Sequence, residues 1–413
     1  MMRRTDRERG QILPVLMALI VVAGTTLLAT HHIGQSVTRA TVVVNAADAA
    51  AYSAGTWTAR RMNLLAYTNR ALIANHIAVG HLVAYISWLR YVDAAVARIR
   101  NYSAYIPYVG PAVQRGREAA RKARLTAERV GGGMIQGIDG LIDLYSGLQL
   151  DLRSEILPPQ LISIMGQVAR RYDEALDVND PDAVLDLPTP YREGIGALLT
   201  GWSSAMLLRL DAARPGSDRR YFTNLLSRSI ASDRHLSRWL RGRERFGPPR
   251  YGTGGRRWSD RVLFLIRLRK QGPTNRARVP SAGGWRSADR LQVSFWDPRK
   301  LDWKSWATVA RGRASTTTIA GAYRGVISYH RLAKRGEADY AFHIPALVTH
   351  REKPDSEADD SPLLHAQLSR AEVRYRRPDS CRRDRNCPRE SDAANLFNPY
   401  WEASLVSATD LEL

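Results

Sequence analysis

The chain has two cysteines, Cys381 and Cys387, separated by five polar residues. Outside the cytoplasm such a pair is expected to form a disulfide, which here would close a small loop. A structural zinc site needs four ligands, and two cysteines at this spacing with no histidine nearby do not supply them. The pair is therefore predicted to be a disulfide and not part of a metal centre.

The nine histidines are scattered along the chain. His76 and His81 are five residues apart, so a helix does not place them well on one face. His343, His350 and His365 lack a nearby carboxylate pattern that would orient a general base. The sequence contains no Gly-x-Ser-x-Gly elbow, P-loop, His-Glu-x-x-His or Rossmann fingerprint. It therefore predicts no metal and no cofactor and disfavours an enzyme, with a secreted enzyme of novel site kept as a third hypothesis.

Residues 12–29 form one uncharged run, ILPVLMALIVVAGTTLLA, that follows a tail containing four arginines. As a helix this run would span about 27 Å, close to the hydrocarbon thickness of a bilayer. Under the positive-inside rule the basic tail, residues 1–11, stays in the cytoplasm. The sequence therefore predicts a transmembrane helix at 12–30, with the bulk of the chain on the periplasmic side of a bacterial inner membrane.

Two other interpretations of the apolar run stay open. A cleaved signal peptide has the same basic start and apolar middle, but it needs small residues at a cleavage site. The residues after Leu28 read ATHHIG, without an A-x-A pattern, and this favours an uncleaved anchor. A buried helix of a soluble protein is the remaining alternative, and the flanking arginines argue against it.

The pattern beyond the run predicts an α+β protein in two parts. Residues 31–245 are expected to be an extracytoplasmic helical region that starts with one long helix over 37–100. Residues 246–413 are expected to form an α+β domain with an antiparallel sheet. Helices are predicted at 112–129 (ended by Gly131 to Gly133), 134–150, 161–176, 191–213 and 222–241. Strands are predicted at 262–266, 291–295, 325–329, 364–375 and 402–407.

The net charge of +21 is concentrated in one block. Between Arg209 and Arg290 there are 21 Arg or Lys against 6 Asp or Glu. One interpretation is an acidic partner, such as anionic lipid or an envelope polysaccharide. The other is an arginine bias that reflects a GC-rich genome. Nucleic acid is a disfavoured partner, because the predicted topology separates the block from cytoplasmic DNA.

Three segments together resemble the TadE/TadG-like proteins of the tight-adherence (Flp) pilus assembly system. They are the start of the membrane run at 7–16, VNAADAAAYSAG at 44–55 and AYTNRALIAN at 66–75, and LFNPYWEA at 396–403 is similar to the end of some such proteins. In the motif Asn45, Ala46, Ala47, Asp48, the small residues would let helices approach closely, and Asn45 and Asp48, three apart, would share a face.

The resemblance implies a minor pilin-like or assembly component of a pilus, with other pilus-assembly proteins or pilins as partners. Gly10 is the implied candidate processing site, since type IV-like pilins are cut after a glycine. Those pilins have Glu at the fifth mature position, where this chain has Val15. Larger relatives can carry a D-x-S-x-S metal motif, which this sequence lacks. The alternative function is an envelope-binding module that holds anionic lipid or polysaccharide through the basic block.

Overall fold

The computed structural model describes residues 12–103, 109–213, 257–262, 265–272, 276–277, 284–325, 328–332, 341–351, 364–376 and 394–408. It has a long N-terminal apolar helix, further helices and antiparallel sheets built mainly from the C-terminal half. The predicted α+β fold class is therefore confirmed. The helix predicted at 222–241 lies outside the described residues.

One helix dominates the described structure. Helix α1 (Ile12–Ser103) runs for 92 residues, about 138 Å at 1.5 Å per residue. Its one proline, Pro14, lies in the first turn, where a missing N–H removes no intrahelical bond. The other described helices are α2 (Val109–Ser154), α3 (Pro158–Ala169), α4 (Pro181–Leu185), α5 (Thr189–Arg209) and α6 (Thr316–Ala320).

Helix α2 passes through the glycines that were predicted to end it, so that part of the prediction was wrong. A Cβ on Gly131 would lie 2.7 Å from Cδ1 of Ile86 in α1, and one on Gly132 would lie 3.0 Å from the carbonyl oxygen of Ile319 in α6. These glycines therefore allow close approach of neighbouring elements. The order of contacts, from Arg124 with Asp93 to Gln149 with Thr68, shows that α2 packs antiparallel on α1.

The strands form two main sheets and a two-stranded ribbon. The first sheet has the order β1-β10-β11-β12, all antiparallel. In the second, β6 pairs with β4 along one edge and with β8 along the other, and β3 extends the sheet beyond β4. The bounds are β1 (Leu176–Val178), β2 (Leu210–Ala213), β3 (Arg257–Val262), β4 (Ile266–Gln271), β5 (Arg276–Ala277), β6 (Trp285–Asp297), β7 (Asp302–Trp303), β8 (Ala307–Ser315), β9 (Tyr329–Leu332), β10 (Ala341–Arg351), β11 (Leu364–Tyr375) and β12 (Trp401–Val406).

The predicted elements match these bounds unevenly. The strand predicted at 364–375 coincides with β11, and that at 402–407 is β12 shifted by one residue. Val262 ends β3 and Ile266 begins β4, and the two residues pair with each other across antiparallel strands, so the single strand predicted at 262–266 was wrong. The helix predicted at 161–176 ends early, because the chain turns into β1, which pairs with β10.

Helix α1 runs through the two larger hydrophobic cores of the described structure, while a third, small cluster joins α4 to β10. Residues 43–65 of α1 pack with α3, β1 and the first sheet, and its residues 72–86 pack with α2, α6 and strands of the second sheet. Two strands from the 31–245 stretch, β1 and β2, pair with strands of the C-terminal half. The helical and strand-rich parts of the chain therefore share their cores.

The sheets meet α1 where side chains are smallest. A Cβ on Gly55 would lie 2.9 Å from Cβ of Ala371 in β11, and one on Gly80 would lie 2.8 Å from the ring of Trp285 in β6. In the reverse direction, a Cβ on Gly312 of β8 would lie 2.0 Å from the carbonyl oxygen of Ser87. The second sheet thus touches the helix backbone itself, and no other residue type fits there without displacing β8.

We expect Gly312→Ala to lower the free energy of unfolding by about 1–3 kcal/mol, since overpacking forces backbone shifts. The matched control is Gly140→Ala in α2, where an added Cβ meets nothing within 4 Å. Alanine there should stabilise the helix by about 0.5–1 kcal/mol. Denaturant unfolding of the full-length protein in mild detergent measures both. Equal effects of the two substitutions would contradict the close approach of β8.

Candidate functional site

The apolar start of α1 projects from the body of the protein. Nearly all side chains from 13 to 41 are exposed, and burial begins at Val42 and Val43. Among the described residues, one helix is long and apolar enough to cross a membrane, and no part of its most apolar window is buried. The core helix of a soluble protein would be covered there. The predicted spanning segment is therefore present as a helix that continues unbroken into the core.

Three of the predicted site residues lie outside the described part of the chain. They are the candidate processing site Gly10 and the cysteines of the predicted disulfide, Cys381 and Cys387. Most of the basic block, residues 214–256, also lies outside it. These predictions stay predictions.

The structure divides the residues 45–48 between the core and the surface. Ala46 and Ala47 are fully buried, in the hydrophobic core that the first sheet shares with α1. Asp48 accepts a 2.6 Å hydrogen bond from Ser369 Oγ in β11. Asn45 is exposed. The small alanines therefore allow the first sheet to pack closely on α1, whereas the sequence suggested a neighbouring helix at this place. Asn45 faces solvent and Asp48 contacts β11, so the two side chains lie in different environments.

The third resembling segment, 66–75, and the C-terminal one, 396–403, meet in space. The side chain of Asn63 in α1 makes two hydrogen bonds with the backbone of Trp401. Its Nδ2 donates to the carbonyl oxygen of Trp401 and its Oδ1 accepts from the Trp401 N–H, each at 2.9 Å. About two turns further along α1, Nε of Arg70 donates to the carbonyl oxygen of Phe397. The segment 396–401 is thus held on α1 by side chains close to or within AYTNRALIAN.

Asn69 is the centre of this junction. It is 1% exposed, and its Nδ2 donates to the carbonyl oxygens of Leu396 at 2.7 Å and His330 at 2.9 Å. Its Oδ1 accepts from Nε2 of Gln149 in α2, at 2.7 Å. Oε1 of Gln149 in turn accepts from the N–H of His330. One amide pair therefore connects α1, α2, β9 and the C-terminal segment.

A charged cluster is buried where the second sheet meets α1. Asp289 of β6 is 0% exposed, accepts a 2.7 Å hydrogen bond from Ser87 Oγ, and lies 3.9 Å from Nζ of Lys270. Burial raises the pKa of Asp289 to about 6, against the opposing influence of Ser87 and Lys270. Burial also raises the pKa of the adjacent Tyr91 to about 12, and the charge of Asp289 adds to this. Burial lowers the pKa of Lys270, although Asp289 opposes that shift.

A second buried titratable pair lies nearer the middle of α1. Nδ1 of His76 is 2.6 Å from the hydroxyl of Tyr323, and both side chains are buried. Burial lowers the pKa of His76 to about 4, so the imidazole is neutral at physiological pH. A neutral, buried imidazole paired with a tyrosine hydroxyl is typical of a structural histidine.

Helix α2 presents apolar residues on two adjacent faces. One face, which includes Ile135 and Ile142, is buried on α1. The neighbouring face, the α2 seam, is exposed and repeats at spacings of four and three, as in a helix-packing heptad. Its members are Val130, Met134, Gly137, Leu141, Leu144 and Leu148. Beside it lie Gly133, Gly140 and Gly147, and a Cβ on any of these glycines or on Gly137 would meet nothing within 4 Å.

Within the described residues, no group of three or more His, Cys, Asp or Glu side chains could hold a metal ion. Comparison of the chain with protein-family models, with curated proteins and with solved structures finds no match. The resemblance to TadE/TadG-like proteins therefore stays a prediction based on the quoted motifs.

Sequence reasoning missed the junction at Asn69 and the buried cluster at Asp289. Asparagine and glutamine on an apolar helix face, as at Asn69 and Gln149, were the available signal for the first. For the second, Asp289 is a single carboxylate between arginines in an alternating strand. Neither pattern identifies its partners, which lie far away in the sequence.

We expect Asn69→Ala to lower the free energy of unfolding by at least about 2 kcal/mol. It takes one hydrogen bond from each of three buried polar groups, namely the carbonyl oxygens of Leu396 and His330 and Nε2 of Gln149, and a buried group that loses its partner costs about 1–3 kcal/mol. The control Asn45→Ala changes the same residue type at an exposed position and should leave stability within about 0.5 kcal/mol. Denaturant unfolding of the full-length protein measures both. A neutral Asn69→Ala would contradict the central role of the junction.

His76 and Asp289 should give opposite pH dependences of stability. Between pH 4 and 6 the folded state holds a proton on Asp289 that the unfolded chain has lost, so stability falls as pH rises. Between pH 4 and 6.5 the unfolded chain holds a proton on His76 that the folded state lacks, so stability rises. Each effect amounts to about 3 kcal/mol, at about 1.4 kcal/mol per pKa unit.

Relative to the parent protein, Asp289→Asn should therefore steepen the rise of stability from pH 4 to 6, and His76→Gln should turn the slope downward. Unfolding midpoints measured at half-unit pH intervals give both slopes. Parallel curves for the parent and both variants would show that the two groups titrate alike in the folded and unfolded chains.

Proposed function

We propose that the protein is a structural or assembly component, minor pilin-like, of a Tad/Flp-type pilus, anchored in the bacterial inner membrane by residues 12–30. Its N-terminal tail would lie in the cytoplasm and the bulk of the chain in the periplasm. The observation that carries the proposal is the continuity of α1, in which an exposed apolar segment extends without a break into both cores. Such a helix couples a membrane anchor rigidly to an outer body.

The junction at Asn69 is a second observation that supports this proposal. The segments that resemble TadE/TadG-like proteins are distant in sequence, yet Asn69 and Arg70 of one bind the backbone of Leu396 and Phe397 in the other. A shared contact gives a physical reason for both segments to occur in one chain. The role we assign is mechanical, with the helix as the rigid element and the sheets as its outer body.

The α2 seam is the surface that we assign to partners, namely apolar helices of other pilus-assembly proteins. Leu144 is 64% exposed, and no charged residue interrupts the seam between Val130 and Leu148. Glycine costs a helix about 1 kcal/mol relative to alanine. The four glycines at 133, 137, 140 and 147 have no neighbours that require them, so internal packing does not explain their presence. A second helix approaching closely would explain it.

The proposal is tested by deletion and complementation. A clean deletion should abolish pili, and the full-length gene should restore them. Leu144→Lys should lower co-purification with other pilus-assembly proteins at least tenfold, because it places a charge in the seam. The control Leu185→Lys makes the same change at a residue 60% exposed in α4 and should complement fully.

Two accompanying measurements make the outcome decisive. Both variants should remain in the membrane fraction at the level of the parent protein, and a C-terminal tag should be digested when spheroplasts are treated with protease. Normal piliation in the deletion strain would refute the pilus role. Equal behaviour of the two leucine variants would refute the assignment of the seam alone.

A further inference from the structure

One face of the second sheet carries arginines and no described carboxylate. Strands alternate their side chains between faces, and Asp289 and Lys270 mark the face toward α1. The opposite face, which we call the arginine face, carries Arg267 and Arg269 of β4, Arg286 and Arg290 of β6, and Arg311 and Arg313 of β8. Within the described residues of these three strands, the carboxylates are Asp289, on the other face, and Asp297, which lies 4.0 Å from Nζ of Lys304.

The pairing of the strands brings like charges together on this face. Arg290 and Arg311 are directly opposite each other across β6 and β8. Like charges at directly opposite positions destabilise a sheet. Arg286, Arg311 and Arg313 are exposed, so their guanidinium groups are accessible from solvent. A general excess of arginine in the sequence does not explain why so many lie on one face of one sheet.

Tryptophans orient the arginines at one end of the face. The guanidinium carbon of Arg267 lies 3.9 Å from the ring centroid of Trp303, and that of Arg269 lies 4.2 Å from the ring of Trp306. Oε1 of Gln292 accepts hydrogen bonds from Nε and Nη2 of Arg269. A guanidinium held in this way loses less side-chain entropy when it binds a planar anion such as a carboxylate.

We propose that the arginine face binds an acidic polysaccharide, whose carboxylate or phosphate groups pair with arginines such as Arg290 and Arg311, which lie side by side across β6 and β8. The face is a two-dimensional array of donors, with neighbouring strands about 4.8 Å apart and alternate residues about 7 Å apart. A chain with an anionic group on successive sugars matches such an array better than a single small anion does.

The position of the face along α1 favours a polysaccharide over the anchoring lipid, and this step rests on the anchoring in the proposed function. The sheet contacts α1 at Ser87. That residue lies about 85 Å along the helix beyond the end of the spanning segment. The Debye length at physiological salt is about 8 Å, so the arginines do not sense the charges of that membrane.

The test uses the full-length protein in an uncharged detergent, with polygalacturonate as probe and neutral dextran as reference. We expect binding of polygalacturonate at low salt that weakens as salt is raised, and no binding of dextran. Arg290→Gln combined with Arg311→Gln should weaken the affinity at least tenfold. The control, Arg115→Gln combined with Arg121→Gln, removes the same charge from exposed positions of α2 and should change the affinity less than twofold.

Three outcomes would overturn the proposal: no binding at low salt, an equal loss of affinity in the two double variants, or tighter binding to single-stranded DNA or to anionic vesicles than to polygalacturonate. An equal loss would trace binding to overall charge. Since the assay uses purified protein and the substitutions lie away from the α2 seam, its result is independent of piliation. If deletion abolishes pili but the purified protein does not bind polygalacturonate, only the present proposal fails. If the protein binds polygalacturonate but deletion leaves pili normal, only the proposed function fails.

Discussion

The close approach of two sheets to the backbone of α1 is the constraint on which the rest of the structure depends. Gly55 and Gly80 of the helix and Gly312 of β8 lie where a Cβ would overlap the opposite element. The fully buried alanines between 46 and 54 extend the same small-residue surface. Side chains of ordinary size would lift the sheets away and separate the buried polar groups. The junction at Asn69 and the cluster at Asp289 therefore depend on the same small residues.

A second consequence of this geometry concerns the exposed apolar segment. Residues 12–30 and the core residues from 43 onward belong to one helix, whose only proline is in its first turn. A flexible linker between an anchor and a domain would let the two reorient independently. An uninterrupted helix instead transmits axial displacement and rotation of its exposed end to the sheets packed against it. Two cores on one helix thus act as one body.

The sequence predicted the elements whose signal is local. The apolar run, the long helix and the strand at 364–375 follow from composition and periodicity within one segment. The prediction that a helix ends at Gly131 to Gly133 was wrong. A glycine that allows close packing and a glycine that ends a helix cannot be told apart from the sequence alone. Sequence reasoning missed the partners of Asn63 and Asn69, since those contacts join residues 338 and 327 positions apart. Long-range pairing leaves no periodic trace in either segment.

Alternation along β6 explains why the arginine face keeps its charge. Asp289 is adjacent in sequence to Arg290, but the pleat directs it to the opposite face, where Ser87 and Lys270 engage it. Its carboxylate therefore does not neutralise the arginines on the other side of the same strand. Moving an acidic residue onto the arginine face would relieve the repulsion between Arg290 and Arg311 with little change to the core. Within the described residues of β4, β6 and β8, the fully buried carboxylate lies against α1, and Arg290 and Arg311 stay side by side on the outer face, where an anion from solution would offset their repulsion.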